Sequence, residues 1–393
     1  MLVTAVSAGR ILGSQAPAAV VRRVDATARS TAPASMIDAM AEMTPRERWK
    51  AVLEGRVADR PPCDYWGTAE VTARLQRDLN CPDERALWKC LGVDKCIHLA
   101  PRHPRAVETD WHLQSLFSIW GIVTREIGYG SGVYCEVASG PLEAAETPAD
   151  VERFSWPDPE EWELAGLREQ ALAWNDYPIL CGSYEPFYLY SRMRGMERAL
   201  TDLIDRPVIA EAALARIHSI HERLFERILS EVGDLIDFVY VAEDLGTQES
   251  LLMSPALFRR FLRPTLRRMI DLAHARGVRV FHHDDGAIRP LIPDLLDIGI
   301  DLLNPIQWRC RGMDRAALAR DFGSRVVFHG GVDNQQTLPF GSPADVRREV
   351  QENIALFSAC KGYVVAPCHN IQANTPTENI VALYETVRER GVQ

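Results

Sequence analysis

Two short strings carry the side chains best suited to chemistry: Phe281-His282-His283-Asp284-Asp285-Gly286 and Ala366-Pro367-Cys368-His369-Asn370-Ile371-Gln372. Imidazole nitrogen, thiolate sulfur and carboxylate oxygen are donors that zinc accepts, and a catalytic zinc needs only three protein ligands with one position open. His283, Asp285 and His369 would supply two nitrogens and an oxygen, while Cys368 reads as a structural thiol or a ligand. Residues i and i+2 at the end of a strand point the same way, so His283 and Asp285 can share an ion while His282 faces the other side. A carboxylate in place of thiolates makes a harder donor set, so Fe²⁺, Mn²⁺ or Co²⁺ competes with Zn²⁺. The plainer alternative makes both histidines neutral hydrogen-bonders and Asp285 the cap of a helix beginning near Ala287.

Each string follows a short apolar run, Val278-Arg279-Val280 or Tyr363-Val364-Val365, and precedes a helix-like segment. The same rhythm holds from residue 176 onward. Strand character recurs at 178–181, 238–241, 278–281, 301–303, 326–328 and 363–365, with helical segments including 255–276, 288–297, 314–321 and 343–358. Such alternation predicts parallel β-α-β units. With a further strand near 62–65, it fits an α/β fold of the (β/α)8 TIM-barrel type better than an open doubly wound sheet. No Gly-x-Gly-x-x-Gly fingerprint follows any of these strands.

In such a barrel the strand ends share one mouth. Tyr184 and Glu185, Glu243 and Asp244, His282 to Asp285, Asn304 and Gln307, His329 and Asp333, and Cys368 and His369 therefore converge. Glu243, Asp244, Asp285 and His369 are the candidate catalytic groups. Tyr184, Glu185, Asn304, Gln307 and His329 are candidate substrate contacts, with Glu185 also an additional candidate ligand.

Upstream, residues 1–35 contain Asp25 as their only acid, and 1–42 are expected to form a disordered extension outside the fold. Thr44-Pro45-Arg46-Glu47 has an N-cap threonine, proline at the first helical position and an acid in the first turn, which predicts a helix to about Gly55. A single domain then spans 43–393. Residues 67–175 read as an elaboration, with helices at 69–79 and 84–91 and a hairpin at 118–138 punctuated by Gly128, Gly130 and Gly132. Trp66, Trp120 and Tyr129 are either core residues or a cover for an aromatic substrate.

Composition narrows the function. A 47% hydrophobic, 25% charged chain builds an ordinary globular core, and a net charge of −10 argues against nucleic-acid or anionic-membrane binding. No stretch approaches the roughly 20 apolar residues of a membrane span. Nine cysteines without regular spacing point to reduced thiols and a cytoplasmic location.

Several motifs together resemble the uroporphyrinogen decarboxylase superfamily, in its branch of methylcobamide:coenzyme M methyltransferases and corrinoid-linked demethylation enzymes. They are Met43-Thr44-Pro45-Arg46-Glu47-Arg48, Glu243-Asp244-Leu245-Gly246-Thr247-Gln248, His283-Asp284-Asp285-Gly286, Gly299 through Gln307, Phe328-His329-Gly330-Gly331-Val332-Asp333, Ala366-Pro367-Cys368-His369 and Thr375-Pro376-Thr377-Glu378-Asn379. The resemblance implies a TIM barrel, a homodimer and methyl transfer between a small methylated substrate and an acceptor, here a corrinoid on a separate protein. No Asp-x-His-x-x-Gly corrinoid string occurs in this chain. The Arg-Gln-Ala-Gly-Arg-Tyr string with which true uroporphyrinogen decarboxylases meet substrate carboxylates is also missing, which argues against porphyrinogen decarboxylation. Zinc methyltransferases of the family use a His-x-Cys pair and a distant Cys. Here His283 keeps the first place, Asp285 stands at the Cys place, and His369 or Cys368 falls at the third. The competing readings are a metal-free decarboxylase or lyase, with Asp285 stabilising a developing cation and His369 handling protons, and a barrel that binds its ligand without turnover.

Overall fold

The computed structural model describes residues 42–106, 117–128 and 133–389. The chain divides into Met1–Glu42 and Met43–Gln393, and the architecture below is that of the second unit. The extension predicted over 1–42 lies outside the described residues except for Glu42, as do Tyr129, Gly130 and Gly132.

One seven-stranded parallel sheet runs in the order β1 (Ile97–Leu99), β4 (Ile179–Tyr184), β5 (Phe238–Val241), β6 (Arg279–His283), β7 (Leu302–Asn304), β8 (Val327–Val332) and β9 (Gly362–Pro367). A separate antiparallel hairpin joins β2 (Val123–Gly128) to β3 (Val133–Ser139). Residues 62–67 close the ring between β9 and β1. Asp64 N donates to Val365 O at 2.9 Å and Val365 N to Pro62 O at 2.9 Å, while Asp94 N donates to Cys63 O at 2.8 Å across the other edge. The result is the (β/α)8 barrel.

Two sequence expectations need correction. The stave near 62–65 pairs through isolated bridges at Cys63 and Gly67 and is not a continuous strand. The remaining stave, β1, lies inside the 67–175 segment read as an elaboration. Its run Ile97-His98-Leu99 carries a histidine in the middle and gives no apolar β-branched run.

Strand alternation explains both the core and the site. Leu180, Phe238, Phe281, Leu302, Val327 and Val364 form an apolar layer inside the barrel, with Trp49 of the helix Pro45–Leu53 packed into it. Burying each such side chain contributes roughly 1.5–3 kcal/mol. Two residues further along the strands, the same inward direction belongs to Tyr240, His283, Asn304 and His329. Val239, Val280, Leu303, Phe328 and Val365 face outward into the larger core shared with the helices.

The helix predicted at 255–276 is two helices, Pro255–Phe261 and Arg263–His274, because Pro264 has no N–H to continue the ladder. That predicted from 288 begins at Ile292, with Leu291 as its N-cap, so Asp285 does not cap it. No helix among the described residues is long and apolar enough to cross a membrane.

Candidate metal centre at the barrel mouth

The loops after β5 and β6 touch backbone to backbone at two glycines. A methyl group on Gly246 would strike the Asp285 carbonyl, and one on Gly286, at φ +91°, would strike Gly246. Ala287 N then donates to Thr247 O at 2.8 Å, Leu245 N to Asp284 Oδ1 at 2.7 Å and Gly286 N to Gln307 Oε1 at 2.8 Å. Buried Asp284 and half-buried Gln307 thus fix the loops that present Asp244 and Asp285 on either side of His283.

His283 Nε2 lies 3.5 Å from Asp244 Oδ1 and 3.8 Å from Asp285 Oδ2, and His369 Nε2 lies 3.6 Å from Asp285 Oδ2. Asp244, His283 and Asp285 each offer a ligand atom within 4.8 Å of the others. Asp244 Oδ1 and Asp285 Oδ1 are buried without a hydrogen-bond partner. Buried polar atoms are normally satisfied, so two orphaned carboxylate oxygens beside an imidazole nitrogen suit a cation. The His283 ring is held between Trp66 (centroids 5.6 Å apart, 19° between planes) and Tyr240 (6.0 Å, 28°).

Behind His283 runs a buried polar chain. His283 Nδ1 is 2.5 Å from Asn304 Oδ1, Asn304 Nδ2 is 2.6 Å from His329 Nδ1, and His329 Nε2 is 3.2 Å from Asp64 Oδ2. The direction of every bond follows from its ends. Asp64 accepts from Cys96 N, Tyr65 N and Trp66 Nε1 and lies 3.7 Å from Lys95 Nζ. Burial raises its pKa, Lys95 and His329 more than offset that, and the carboxylate stays ionised. His329 is held neutral, chiefly by burial, so its one proton sits on Nε2 facing Asp64 and its Nδ1 accepts from the Asn304 amide. Asn304 must then turn its oxygen to His283, which fixes that proton on Nδ1 and aims Nε2 at the two carboxylates. This is the arrangement by which a metal-ligating histidine is oriented.

The cluster is strongly coupled. Burial disfavours the His283 imidazolium, but Asp285 and Asp244 outweigh it and its pKa is pushed up to about 10. Burial also raises Asp244, yet His283 brings it below its ordinary value. Asp285 stays raised by burial despite His283 and His369. On the neighbouring strand end Glu185 is pushed up to about 7, first by burial and then by the charge of Asp244.

Of the residues expected at the mouth, the structure brings together Asp244, His283, Asp285 and His369, with Glu185 alongside. Others lie elsewhere. Tyr184 points outward, its hydroxyl 3.2 Å from His218 Nδ1 of the helix Pro207–Val232. Glu243 accepts from Phe187 N at 2.8 Å and Tyr188 N at 2.9 Å, so both its oxygens hold the start of the helix Pro186–Arg194. Asn304 and His329 are 1% and 0% exposed and lie behind His283, out of reach of a substrate. Gln307 spends its oxygen on Gly286 N. Cys368 is buried, its thiol donating to Ile306 O at 3.1 Å and pushed well above its ordinary pKa by burial. Asp64 and Tyr240 went unnoticed in the sequence. The available signals were an acid inside the Pro61–Trp66 apolar stretch and a tyrosine two residues beyond inward-facing Phe238.

A family model for uroporphyrinogen decarboxylase (URO-D) matches residues 44–390. A uroporphyrinogen decarboxylase of Pseudomonas aeruginosa is 22% identical over 294 residues, covering 69% of this chain and 77% of its own. One from Azotobacter vinelandii is 24% identical over 291 residues, with the same shares. Among solved structures, a methyltransferase from Methanosarcina mazei superposes with a TM-score of 0.63 at 20% identity, over 88% of this chain and 99% of that one. At that identity the likeness establishes a common fold.

Proposed function

Since this chain belongs to the uroporphyrinogen decarboxylase family, we propose that it is a metal-dependent methyltransferase or demethylase acting on a small methylated substrate. The observation that carries the reading is the Asp244, His283 and Asp285 cluster, with two orphaned buried carboxylate oxygens and an imidazole aimed by a buried relay. One nitrogen and two oxygens form a hard donor set, suited to Zn²⁺ with Fe²⁺, Mn²⁺ or Co²⁺ as competitors. A divalent ion held there supplies Lewis acidity to a thiol, hydroxyl or methoxy oxygen of the substrate. Asp244 and Asp285 bring the negative charge that retains it, and His369 closes the far side beside Asp285. Glu185, titrating near neutrality, holds or releases a proton next to the cluster.

The methyl acceptor in this reading is a corrinoid on a partner protein, as the resemblance to corrinoid-linked demethylation enzymes implies. The protein acts as a homodimer, which light scattering would check. Porphyrinogen decarboxylation is disfavoured, since the cluster at the mouth is rich in acids where a polycarboxylate would need cations. A metal-free lyase is the second reading. It is favoured by one observation, that His283 Nε2 lies 3.5 Å from Asp244 and 3.8 Å from Asp285, where a protonated ring offsets one of the two carboxylate charges without an ion.

Elemental mass spectrometry on untagged protein separates the two. About one equivalent of metal in the wild type, lost in His283→Ala and Asp285→Ala, supports the methyltransferase reading. No metal after reconstitution sinks it and leaves the lyase.

A further inference from the structure

A hydrogen-bonded chain whose inner members both donate and accept can run in two directions. Asp64, His329, Asn304 and His283 form such a chain, with links of 3.2, 2.6 and 2.5 Å. Asp64 and His329 are 0% exposed and Asn304 is 1% exposed, so bulk water does not stand in for a lost partner. In the direction set out above, Asp64 accepts, His329 carries its proton on Nε2, and Asn304 turns its oxygen to the His283 Nδ1 proton. The His283 Nε2 lone pair is then free for an ion. The reverse direction satisfies the same atoms. A protonated Asp64 would donate to His329 Nε2, His329 would hold its own proton on Nδ1, and the Asn304 amide would turn over to donate to His283 Nδ1. A neutral His283 would then carry its proton on Nε2, the atom facing Asp244 and Asp285, and the lone pair would be lost.

The charge on Asp64 selects the direction, since an ionised carboxylate only accepts. Tyr65 N at 2.8 Å, Cys96 N at 3.0 Å and Trp66 Nε1 at 2.8 Å donate to it as dipoles. The Lys95 ammonium, 3.7 Å from Asp64 Oδ1, is the one full positive charge beside it among the described residues. A buried carboxylate without a cation is costly and tends to take up a proton. Burial raises Asp64, and Lys95 is the largest influence against it, ahead of His329. Lys95 sits two residues before β1 with its side chain 24% exposed, and Asp64, His329 and Asn304 stand between it and His283. Its substitution therefore leaves the cluster's own contacts in place.

We propose that Lys95 is a remote positioning residue for the metal centre: its charge keeps Asp64 an acceptor and so, through His329 and Asn304, keeps the His283 Nε2 lone pair turned to the ion. The assignment deepens the metal-dependent reading, on which only its metal readout rests.

The test compares the full wild-type chain with Lys95→Met, which keeps the stem and removes the charge, and Lys95→Arg, which keeps the charge. Zn²⁺ affinity is read by chelator competition. The His329 tautomer is read in the metal-free proteins by ¹⁵N imidazole NMR, its signals assigned by their loss in His329→Gln. Lys95→Met should weaken zinc by about 10–100-fold, the usual cost of losing an outer partner, and move the His329 proton from Nε2 to Nδ1. Lys95→Arg should hold zinc near the wild-type affinity and keep the proton on Nε2. Lys95 is half-exposed, so both variants should fold, which circular dichroism checks; if Lys95→Met does not, Lys95→Gln takes its place. An unmoved His329 proton or wild-type zinc affinity in the uncharged variant overturns the assignment, as does an equal loss in Lys95→Arg, which would mark an effect of packing. A tautomer shift in a protein that holds no zinc even after reconstitution sustains the role of Lys95 in the chain while refuting the metal centre, so the two readings fail separately.

Discussion

Replacing Asn304 by Ala tests whether the buried chain behind His283 orients a metal ligand. Asn304 is 1% exposed and bonds His283 Nδ1 at 2.5 Å and His329 Nδ1 at 2.6 Å. Removing it deletes two hydrogen bonds worth about 1 kcal/mol each and leaves two ring nitrogens buried without partners. The expected destabilisation is therefore roughly 2–4 kcal/mol. Loss of such an orienting partner typically weakens metal binding about 10–100-fold. The variant should thus lose both stability in urea titrations and zinc affinity in chelator competition. Asn304→Asp separates the two effects, because it keeps an acceptor for the His283 Nδ1 proton while disturbing His329. It should lose stability yet hold zinc within a few-fold of wild type. Equal zinc affinity in wild type and folded Asn304→Ala would refute the orienting role, leaving the chain a purely structural network.

Four further outcomes are expected. His221 is buried, stacked on Trp120 at 5.0 Å, and its pKa is lowered by burial to about 4. As pH falls from 6.5 towards 4 the unfolded chain takes up a proton that the folded state refuses, costing about 2 kcal/mol between pH 7 and pH 5. His221→Phe should flatten that part of the stability profile, measured by urea unfolding at both pH values. Gly286→Ala should push the β5 and β6 loops apart and abolish stoichiometric metal, with the fold retained by circular dichroism; normal metal content would contradict the backbone contact at Gly246. Asp285→Cys should shift metal preference towards zinc over manganese in competition, as thiolate replaces carboxylate. Cys368→Ala should leave metal content unchanged, because its thiol is engaged with the Ile306 carbonyl; metal loss would restore Cys368 as a ligand.

Much of this protein was legible in the chain itself. Apolar runs alternating with helical periodicity specified parallel strands, and parallel strands of that number close into a barrel whose ends share one mouth. His283 and Asp285 could be paired from their spacing alone, because a strand turns alternate residues to one side. Tertiary structure decided what spacing cannot reach. Whether a polar residue at a strand end faces the mouth depends on what packs behind it. Glu243 turned to the start of a helix, Tyr184 to His218 and Cys368 to a carbonyl, each satisfied by a partner distant in sequence. Asp64 joined the site from 265 residues before His329, and the three-residue β1 exists because β4 offers it a ladder. The strands fixed the direction of a side chain, but only the folded barrel determined which buried polar atoms found partners and which carboxylate oxygens, Asp244 Oδ1 and Asp285 Oδ1 among them, did not.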